Sequence, residues 1–350
     1  MTSYFIRRFL LIVPTFIGIT ILVFALTRLV PGGPIERMLN EAAMAGSVPG
    51  AQAMSGGFDG IGGAALSQGQ LDELKAYYGF DKPILQSYVI WLAKVVRLDL
   101  GNSTRYSEPV WDIIKERFPI SLFYGITTLI LTYGICIPLG IVKAIRHRTL
   151  FDNLSSAFVF LGYALPSYVV GIALLTAFAS QWDIFPLGGF ISDDFDDLSP
   201  RQKFWDVINH AVLPLTAYVA GSFAVTTLMM KNALMDNLAA DYVRTAIAKG
   251  MPFRRAVFRH AMRNSLIPIA TSFGNNITLI LTGSFLIEKI FNIDGFGLLG
   301  FESLVERDYP VVMGILVISS ILFLLGNILS DICVAFVDPR VKFGSAEAAA

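Results

Sequence analysis

The side chains best suited to acid–base or metal chemistry are three histidines and two cysteines, and they lie far apart in the chain. His147, His210 and His260 have no His-Glu-x-x-His spacing, and Cys136 and Cys333 lie inside apolar runs without metal-ligand spacing. Neither a Gly-x-Ser-x-Gly motif nor the phosphate-binding Gly-x-x-x-x-Gly-Lys-Ser/Thr motif occurs. The sequence therefore predicts no catalytic residue, no metal site, no nucleotide site, and two inert buried thiols.

The composition is typical of a membrane protein. Of 350 residues, 54% are hydrophobic and 15% are charged, whereas soluble domains carry about 25% charged residues. The formal net charge is zero, so nucleic acid is not an expected partner. Arg7 and Arg8 before the apolar run 9–30 resemble a signal peptide, but this run exceeds the roughly 7–15 residues of a signal h-region. We expect a retained first span.

Long apolar runs predict an all-α integral membrane protein with six transmembrane helices. About 20 apolar residues cross a bilayer as a helix, and lipid cannot satisfy free backbone groups, so helices are required. The predicted spans are 9–30, 119–142, 153–180, 211–230, 265–287 and 311–337.

The distribution of positive charge predicts the orientation of these spans. The termini and the loops 143–152 and 231–264 carry 14 Lys and Arg in 65 residues, whereas the other connecting segments carry 12 in 141. Because positive charge concentrates on the cytoplasmic side, both termini should be cytoplasmic. The acidic segment 193–197 then falls outside.

An 88-residue external segment, 31–118, separates the first two spans. Its Gly- and Ala-rich part, 45–64, predicts a flexible linker, and the patterns at 67–79 and 83–97 predict two short helices. We expect a small external cap without its own core. The predicted regions are 1–30 (N-terminus and first span), 31–118 (external), 119–337 (five spans with the loop 231–264) and 338–350 (cytoplasmic tail).

The longest cytoplasmic loop, 231–264, contains a short predicted helix. Asp241 can cap its start, Gly250 can end it in a left-handed conformation, and Pro252 can begin the next helix. Small residues such as Ala246 would let another protein approach closely. An ordinary basic loop that anchors two spans would explain the arginines but not the capped helix, and both readings stay open on the residues alone.

Parts of this loop resemble a known family. Tyr242-Val-Arg-Thr-Ala-Ile-Ala-Lys-Gly250, followed by His260-Ala-Met-Arg-Asn264 and Pro268, resembles the EAA loop of binding-protein-dependent ABC importer permeases. Asp241-Tyr-Val-Arg-Thr-Ala replaces a literal Glu-Ala-Ala, which is the usual form in the oligopeptide and dipeptide branch.

The resemblance extends along nearly the whole chain. Further matches are Pro31-Gly32-Gly33-Pro34, Tyr78-Gly79-Phe80-Asp81-Lys82-Pro83, Leu98-Asp99-Leu100-Gly101, Asp294-Gly295-Phe296-Gly297, Arg307-Asp308-Tyr309-Pro310 and Asp338-Pro339-Arg340. Each is weak alone, but their order makes a strong match. The long external segment is most similar to the B-type permease of microcin C and oligopeptide uptake systems.

The resemblance implies a type I ABC importer permease fold in a bacterial inner membrane, and the import of peptides or, alternatively, of a non-peptide solute such as nickel. It implies two ATPase subunits that hold ATP and Mg²⁺, a second homologous permease and a periplasmic peptide-binding protein, with no cofactor on this chain. The residues it assigns to ATPase coupling are Asp241, Tyr242, Val243, Arg244, Thr245, Ala246, Lys249 and Gly250.

A pathway between two permeases needs lining residues, and aromatic, small or ionisable residues within the spans are the candidates. Asp331 lies one turn after Asn327 and would either bond a neighbouring helix or line the exit. Pro138, Pro166 and Pro214 should break or kink their spans. The candidate lining residues are Tyr133, Tyr163, Ser167, Tyr168, Asn327 and Asp331.

Other classes of membrane protein fit less well. An ion-coupled secondary transporter usually has inverted repeats and ionisable groups near the midplane, and neither is evident in this sequence. A membrane-embedded enzyme lacks a recognisable catalytic motif here. A structural scaffold leaves the Lys249-Gly250 helix end without a purpose.

Overall fold

A computed structural model describes residues 2–29, 81–281 and 283–337. Within these ranges the chain is helical, apart from loops and one isolated antiparallel bridge between Asn102 and Pro109. The predicted linker 45–64, helix 67–79 and tail 338–350 lie outside the described residues. The helices are α1 (Thr2–Leu29), α2 (Ile84–Val96), α3 (Val110–Ile145), α4 (Leu150–Ala164), α5 (Ser167–Leu174, extended by π-helix to Gln181), α6 (Pro200–Ala239), α7 (Asp241–Ala248), α8 (Phe253–Ala256), α9 (Met262–Ser265), α10 (Ile267–Leu281), α11 (Phe285–Ile290), α12 (Phe296–Val305) and α13 (Tyr309–Val337).

Four of the described helices, α1, α3, α6 and α13, are long and apolar enough to cross a membrane. Their backbone groups are satisfied within the helix, which is the condition for standing in lipid. The pair α4 and α5 is also long and apolar enough when taken together, and it adds a fifth span if the bent pair crosses the membrane. The described residues therefore contain four or five candidate spans, and the predicted count of six is not confirmed.

The predicted span 153–180 is a bent pair of helices. The two helices meet at 97°. Leu165 takes an extended conformation (φ −97°, ψ 125°), as expected for a residue before proline, and Pro166, which has no N–H group to donate, is the N-cap residue of α5. The predicted break at Pro166 is confirmed, whereas α3 and α6 continue through Pro138 and Pro214.

The predicted span 265–287 is shorter in the structure. Helix α10 has 15 residues and ends at Leu281, and α11 begins only at Phe285. Gly283, between them, has a φ of +75°, which a helix cannot contain. Within the described chain, α10 alone falls short of the roughly 20 residues that cross a bilayer.

The chain divides into two units. The first comprises Met1–Ile12, Glu116–Leu299 and Ser319–Ala350, and the second comprises Val13–Lys115 and Gly300–Ile318. The described part of the first unit holds two apolar clusters. One surrounds Phe291 and Ala217, and the other surrounds Leu234 and Val243 beside the short helix α7.

In the second unit, α2 occupies the positions of the predicted helix 83–97, and its external location stays a prediction. The hydroxyls of Tyr88 and Thr20 are 2.9 Å apart, and the ring of Phe24 meets that of Tyr88 edge-on at 5.6 Å. The carboxylate of Asp308 accepts hydrogen bonds from the Ser103 hydroxyl and from two backbone N–H groups, those of residues 104 and 105. This buried aspartate fixes the loop before α3.

Candidate functional site

A single residue, Ala240, separates helix α7 from the end of the long helix α6. Ala240 occupies the N-cap position in an extended conformation (φ −71°, ψ 146°) and contributes no side-chain cap. The prediction that Asp241 caps this helix is wrong, because Asp241 is its first helical residue. Its carboxylate still lies in the first turn, where its negative charge interacts favourably with the positive end of the helix dipole.

The other end of α7 has a Schellman motif. Gly250 has a φ of +89°, and its N–H donates to the Ile247 carbonyl (2.9 Å). The N–H of Met251 donates to the Ala246 carbonyl (3.2 Å), which completes the motif. Pro252 then occupies the N-cap of α8. The predicted helix end at Gly250 and the restart at Pro252 are confirmed.

One face of α7 is anchored in the apolar cluster. The side chain of Val243 is completely buried, among residues that include Leu234 of α6, Ala256 of α8 and Val257. Burying a valine side chain stabilises a fold by roughly 1.5–3 kcal/mol. This contact holds a helix of eight residues that would not be stable alone in water.

Polar contacts also hold α7 in place. The Tyr242 hydroxyl donates to Oδ1 of Asn237 (2.6 Å) and accepts from Nδ2 of Asn264 (3.0 Å). The Ser265 hydroxyl donates to the Ala233 carbonyl (3.1 Å) and ties α9 to α6. These hydrogen bonds fix α7 to both flanking segments, so a force applied to it reaches α6.

The outward face of α7 and the adjoining residues is both apolar and basic. The side chains of Arg244, Thr245, Lys249 and the small residue Ala248 are exposed, and Ala246 is half-buried. Aromatic and arginine side chains are typical of surfaces that contact other proteins. The exposed apolar residues are Tyr242, Ile247, Phe253 and Phe258, and the nearby exposed basic residues are Arg254, Arg255 and Arg259.

Two predicted pathway residues join helices. The Tyr133 hydroxyl accepts from Nδ2 of Asn276 (2.9 Å), and its ring lies 5.6 Å from that of Phe273. The carboxylate of Asp331 pairs with Arg8 of α1 at 2.8 Å. Of the two alternatives for Asp331, the structure supports a bond to a neighbouring helix.

Other predicted pathway residues lie around the bend. Tyr163 is 66% exposed and Tyr168 is 38% exposed. Ser167 is the first residue of α5 and faces Gly221 of α6, where a Cβ would lie 3.4 Å from the Ser167 Cβ. Asn327 is half-buried in α13. Their role in a pathway stays a prediction.

Sequence reasoning missed a buried cluster of charges between α3, α4 and α6. The Asp152 carboxylate, in the first turn of α4, accepts two hydrogen bonds from Nζ of Lys231 in α6, at 2.7 and 2.8 Å. Lys143, from the last turn of α3, is fully buried, and its Nζ lies 3.2 Å from Oδ1 of Asp152. His147 Nδ1 and the Arg148 N–H lie 3.2 Å from Oδ2. The sequence signal that could have found this cluster is that Asp152, Lys143 and Lys231 each lie next to the boundary of a predicted span.

Sequence reasoning also missed Glu288, which is 1% exposed in α11. Its carboxylate accepts hydrogen bonds from the Leu298 N–H (2.6 Å), at the start of α12, and from the Tyr218 hydroxyl (3.3 Å). A Cβ on Gly283 or Gly295 would overlap this carboxylate. Two glycines therefore make room for one buried acid.

The pKa of the Glu288 carboxyl reflects opposing effects. Burial raises it from its ordinary 4.5 to about 7, while hydrogen bonds from the Leu298 and Gly297 N–H groups and from Tyr218 favour the ionised form. Asp294 adds a smaller repulsion that raises it further. Glu288 lies after α10 and outside the candidate spans.

The sequence predicts that both cysteines are inert buried thiols. Cys136 is buried as expected, and its thiol donates to the Phe223 carbonyl at 3.5 Å, but Cys333 is only half-buried. In the described ranges, no three His, Cys, Asp or Glu side chains come together in a group that could hold a metal ion.

The chain is similar to a group of curated transport proteins. The family described as "Binding-protein-dependent transport system inner membrane component" matches residues 136–343. "Inner membrane ABC transporter permease protein YejB" of Escherichia coli O157:H7 is 39% identical, with 98% of this chain and 99% of the relative covered. "Oligopeptide transport system permease protein AppB" of Bacillus subtilis (strain 168) is 33% identical, with 98% and 100% covered. "Dipeptide transport system permease protein DppB" of Escherichia coli (strain K12) is 31% identical, with 98% and 99% covered.

Proposed function

The chain belongs to the binding-protein-dependent transport system inner membrane component family, and from this premise we propose that it is the permease subunit of an ATP-driven peptide importer. The observation that carries the proposal is α7, which the buried Val243 and the Tyr242 hydroxyl hold in place and which exposes apolar and basic side chains. The peptide class rests on relatives whose names are those of oligopeptide and dipeptide permeases.

In this proposal α7 docks into a groove on a cytoplasmic ATPase subunit. Two such subunits hold ATP and Mg²⁺, because this sequence has no phosphate-binding loop of its own. When ATP closes the ATPase pair, the docked helices move and the permease changes from inward-facing to outward-facing. A short helix capped at Gly250 and pinned by Val243 suits this role because it passes on a displacement instead of unwinding.

The protein is a multi-pass protein of the inner membrane, and we extend this to six spans with both termini in the cytoplasm. The sixth span would be α10 together with the residues around it. The basic loops 143–152 and 231–264 support this orientation. A periplasmic peptide-binding protein would then dock on the external segments.

The transport pathway would lie between this chain and a second, homologous permease. Tyr163 and Tyr168 are exposed at the bend between α4 and α5 and are our first candidates for its lining. A pathway of aromatic and small side chains without fixed charge suits peptides of variable sequence.

The proposal is tested by isolating the chain from its native membrane in mild detergent and identifying each co-purifying protein. Two ATPase subunits and a second permease of the same family are the expected result. Recovery of the chain alone, from a preparation in which a control ABC transporter stays intact, would contradict the proposal and favour an ion-coupled transporter.

Charge reversal on α7 tests the docking face. Arg244→Glu or Lys249→Glu should reduce recovery of the ATPase severalfold, because an acidic rim on the partner would then repel the helix. Lys94→Glu reverses an equally exposed charge near the end of α2 and should leave recovery unchanged. Equal recovery with all three variants would remove Arg244 and Lys249 from the interface.

A further inference from the structure

The buried cluster around Asp152 joins α3, α4 and α6 at one point. Lys143 closes α3, Asp152 opens α4, and Lys231 lies in α6 about two turns before that helix ends at Ala239. All three side chains are at most 11% exposed. The cluster carries two positive charges and one negative charge, so the single carboxylate holds both ammonium groups.

Lys143 has further partners that keep it in place. Its Nζ donates to the hydroxyls of Ser155 and Ser156 (both 2.8 Å) and to the Asp152 carbonyl (3.0 Å). It is therefore bound to α4 by more than the ion pair. Lys231, in contrast, is hydrogen-bonded to α4 only through the Asp152 carboxylate, within the part of the chain that the structure describes.

The same region leads directly to α7. Leu234, one turn after Lys231, lies in the apolar cluster that buries Val243. Only Ala240 separates the end of α6 from α7. A displacement of α7 therefore moves the segment of α6 that carries Lys231.

On the other side, Asp152 leads to the bend. Helix α4 begins two residues before Asp152 and ends next to Leu165 and Pro166, where the chain turns by 97° into α5. Helices α4 and α5 also pack against α6, and Leu174 of α5 and Ala217 of α6 belong to one apolar cluster. Such contacts have no fixed direction and allow packed helices to slide, whereas two short charged hydrogen bonds resist sliding.

We propose that Lys231 and Asp152 are positioning residues for transport, which make the bent pair α4 and α5 follow the movement of α7. The inference rests on the proposed function, because it needs an ATPase that moves α7. Lys143 fixes α3 to α4 within the same cluster and is not part of the link to α6.

Two substitutions separate this role from a simple contribution to folding. Lys231→Met and Lys143→Met each remove one buried lysine, and each leaves one lysine paired with Asp152, so neither strands a lone buried charge. Lys231→Met cuts the link between α6 and α4, while Lys143→Met leaves that link intact. Lys231→Arg keeps the charge and should restore the link.

The experiment uses the complete complex purified from its native membrane. A cysteine replaces Leu165, which is 43% exposed at the bend, as a reporter, and Cys136 and Cys333 are replaced by alanine. The rate of maleimide labelling at the reporter is measured with and without ATP trapped by vanadate, and ATP hydrolysis and the yield of assembled complex are measured in parallel.

We expect trapped ATP to change the labelling rate severalfold in the otherwise unmodified complex, in Lys143→Met and in Lys231→Arg, and to change it little in Lys231→Met while hydrolysis persists. An unchanged response in Lys231→Met, or no response in the unmodified complex despite hydrolysis, would overturn the inference and leave the proposed function standing. A purified complex without ATPase subunits would refute the proposed function itself.

Discussion

At the scale of single residues, Glu288 shows how a buried acid can be retained. Its carboxylate caps the start of α12 and also faces Tyr218 and Tyr124 of two long helices and Asp294 of the adjoining loop. Burial opposes its ionisation more strongly than the hydrogen bonds favour it, so its pKa rises to about 7. The folded protein therefore binds a proton there that the unfolded chain releases at a lower pH.

This difference predicts a pH dependence of stability. Below about pH 4.5 the carboxyl is protonated in both states, and above about pH 7 it is ionised in both. Between these values only the folded state holds the proton, so stability falls as pH rises, by roughly 3 kcal/mol in total. The change Glu288→Gln should remove this slope, as measured by thermal unfolding of the detergent-solubilised chain at several pH values.

A matched control is Glu108→Gln, because Glu108 is an exposed carboxylate. This variant should keep the pH profile of the unmodified chain. If Glu288→Gln also kept it, the acid at 288 would not be the group that titrates.

Some residues of the candidate site could be predicted from the sequence, and others could not. Gly250 was predictable because Lys-Gly followed by proline is a strong local signal for a helix end. Asp152 and Lys231 were not, since their pairing joins positions 79 residues apart and each lay at the edge of a predicted span. Asp241 was predicted to be the N-cap but is the first helical residue, so the predicted start of α7 was wrong by one position.

At the scale of elements, the ends of the long helices could not be read from hydropathy. Helix α3 has 36 residues and α6 has 40, where the apolar patterns predicted 24 and 20. Hydropathy detects the part of a helix that stands in lipid, whereas backbone hydrogen bonding continues into polar sequence. The first nine residues of the predicted loop 231–264 are consequently helical.

The end of α7 provides a prediction for this element. A valine at position 250 would meet no atom within 4 Å, so its cost comes from the backbone φ of +89° alone. A β-branched residue in that conformation costs about 1–3 kcal/mol. Gly250→Val should therefore loosen the last turn of α7 and lower uptake per ATP hydrolysed in the reconstituted importer, without changing the amount of chain in the membrane.

The control for this change is Gly134→Val in α3, where a Cβ also meets no atom within 4 Å but the backbone φ is outside the left-handed region. That variant should couple hydrolysis to uptake normally. Normal coupling in Gly250→Val as well would mean that the helix end at Gly250 does not need its left-handed conformation for transport.

At the scale of the whole molecule, the apolar class, the all-helical fold and the first, second, fourth and sixth spans follow from composition and run length. The remaining two predicted spans depend on what the chain does at Pro166 and Gly283, where local conformation interrupts an apolar run. Hydropathy averages over such an interruption, so it cannot separate a bent span from a pair of helices that returns to the same side of the membrane.

The bend between α4 and α5 therefore decides the topology, and two single cysteines can test it. Arg146 precedes α4 and Asp194 follows α5, and both are exposed. If the bent pair crosses the membrane, the two positions lie on opposite sides, and the surplus of positive charge places residue 146 in the cytoplasm. In a chain whose Cys136 and Cys333 are alanine, Asp194→Cys should react with an impermeant thiol reagent in intact cells, and Arg146→Cys should react only after the membrane is opened.

Labelling of both positions from the same side would make the pair a re-entrant hairpin, because a helix pair bent by 97° can also return to its starting face. That result would reduce the spans by one, move every later segment to the opposite side, and put α7 out of reach of a cytoplasmic ATPase.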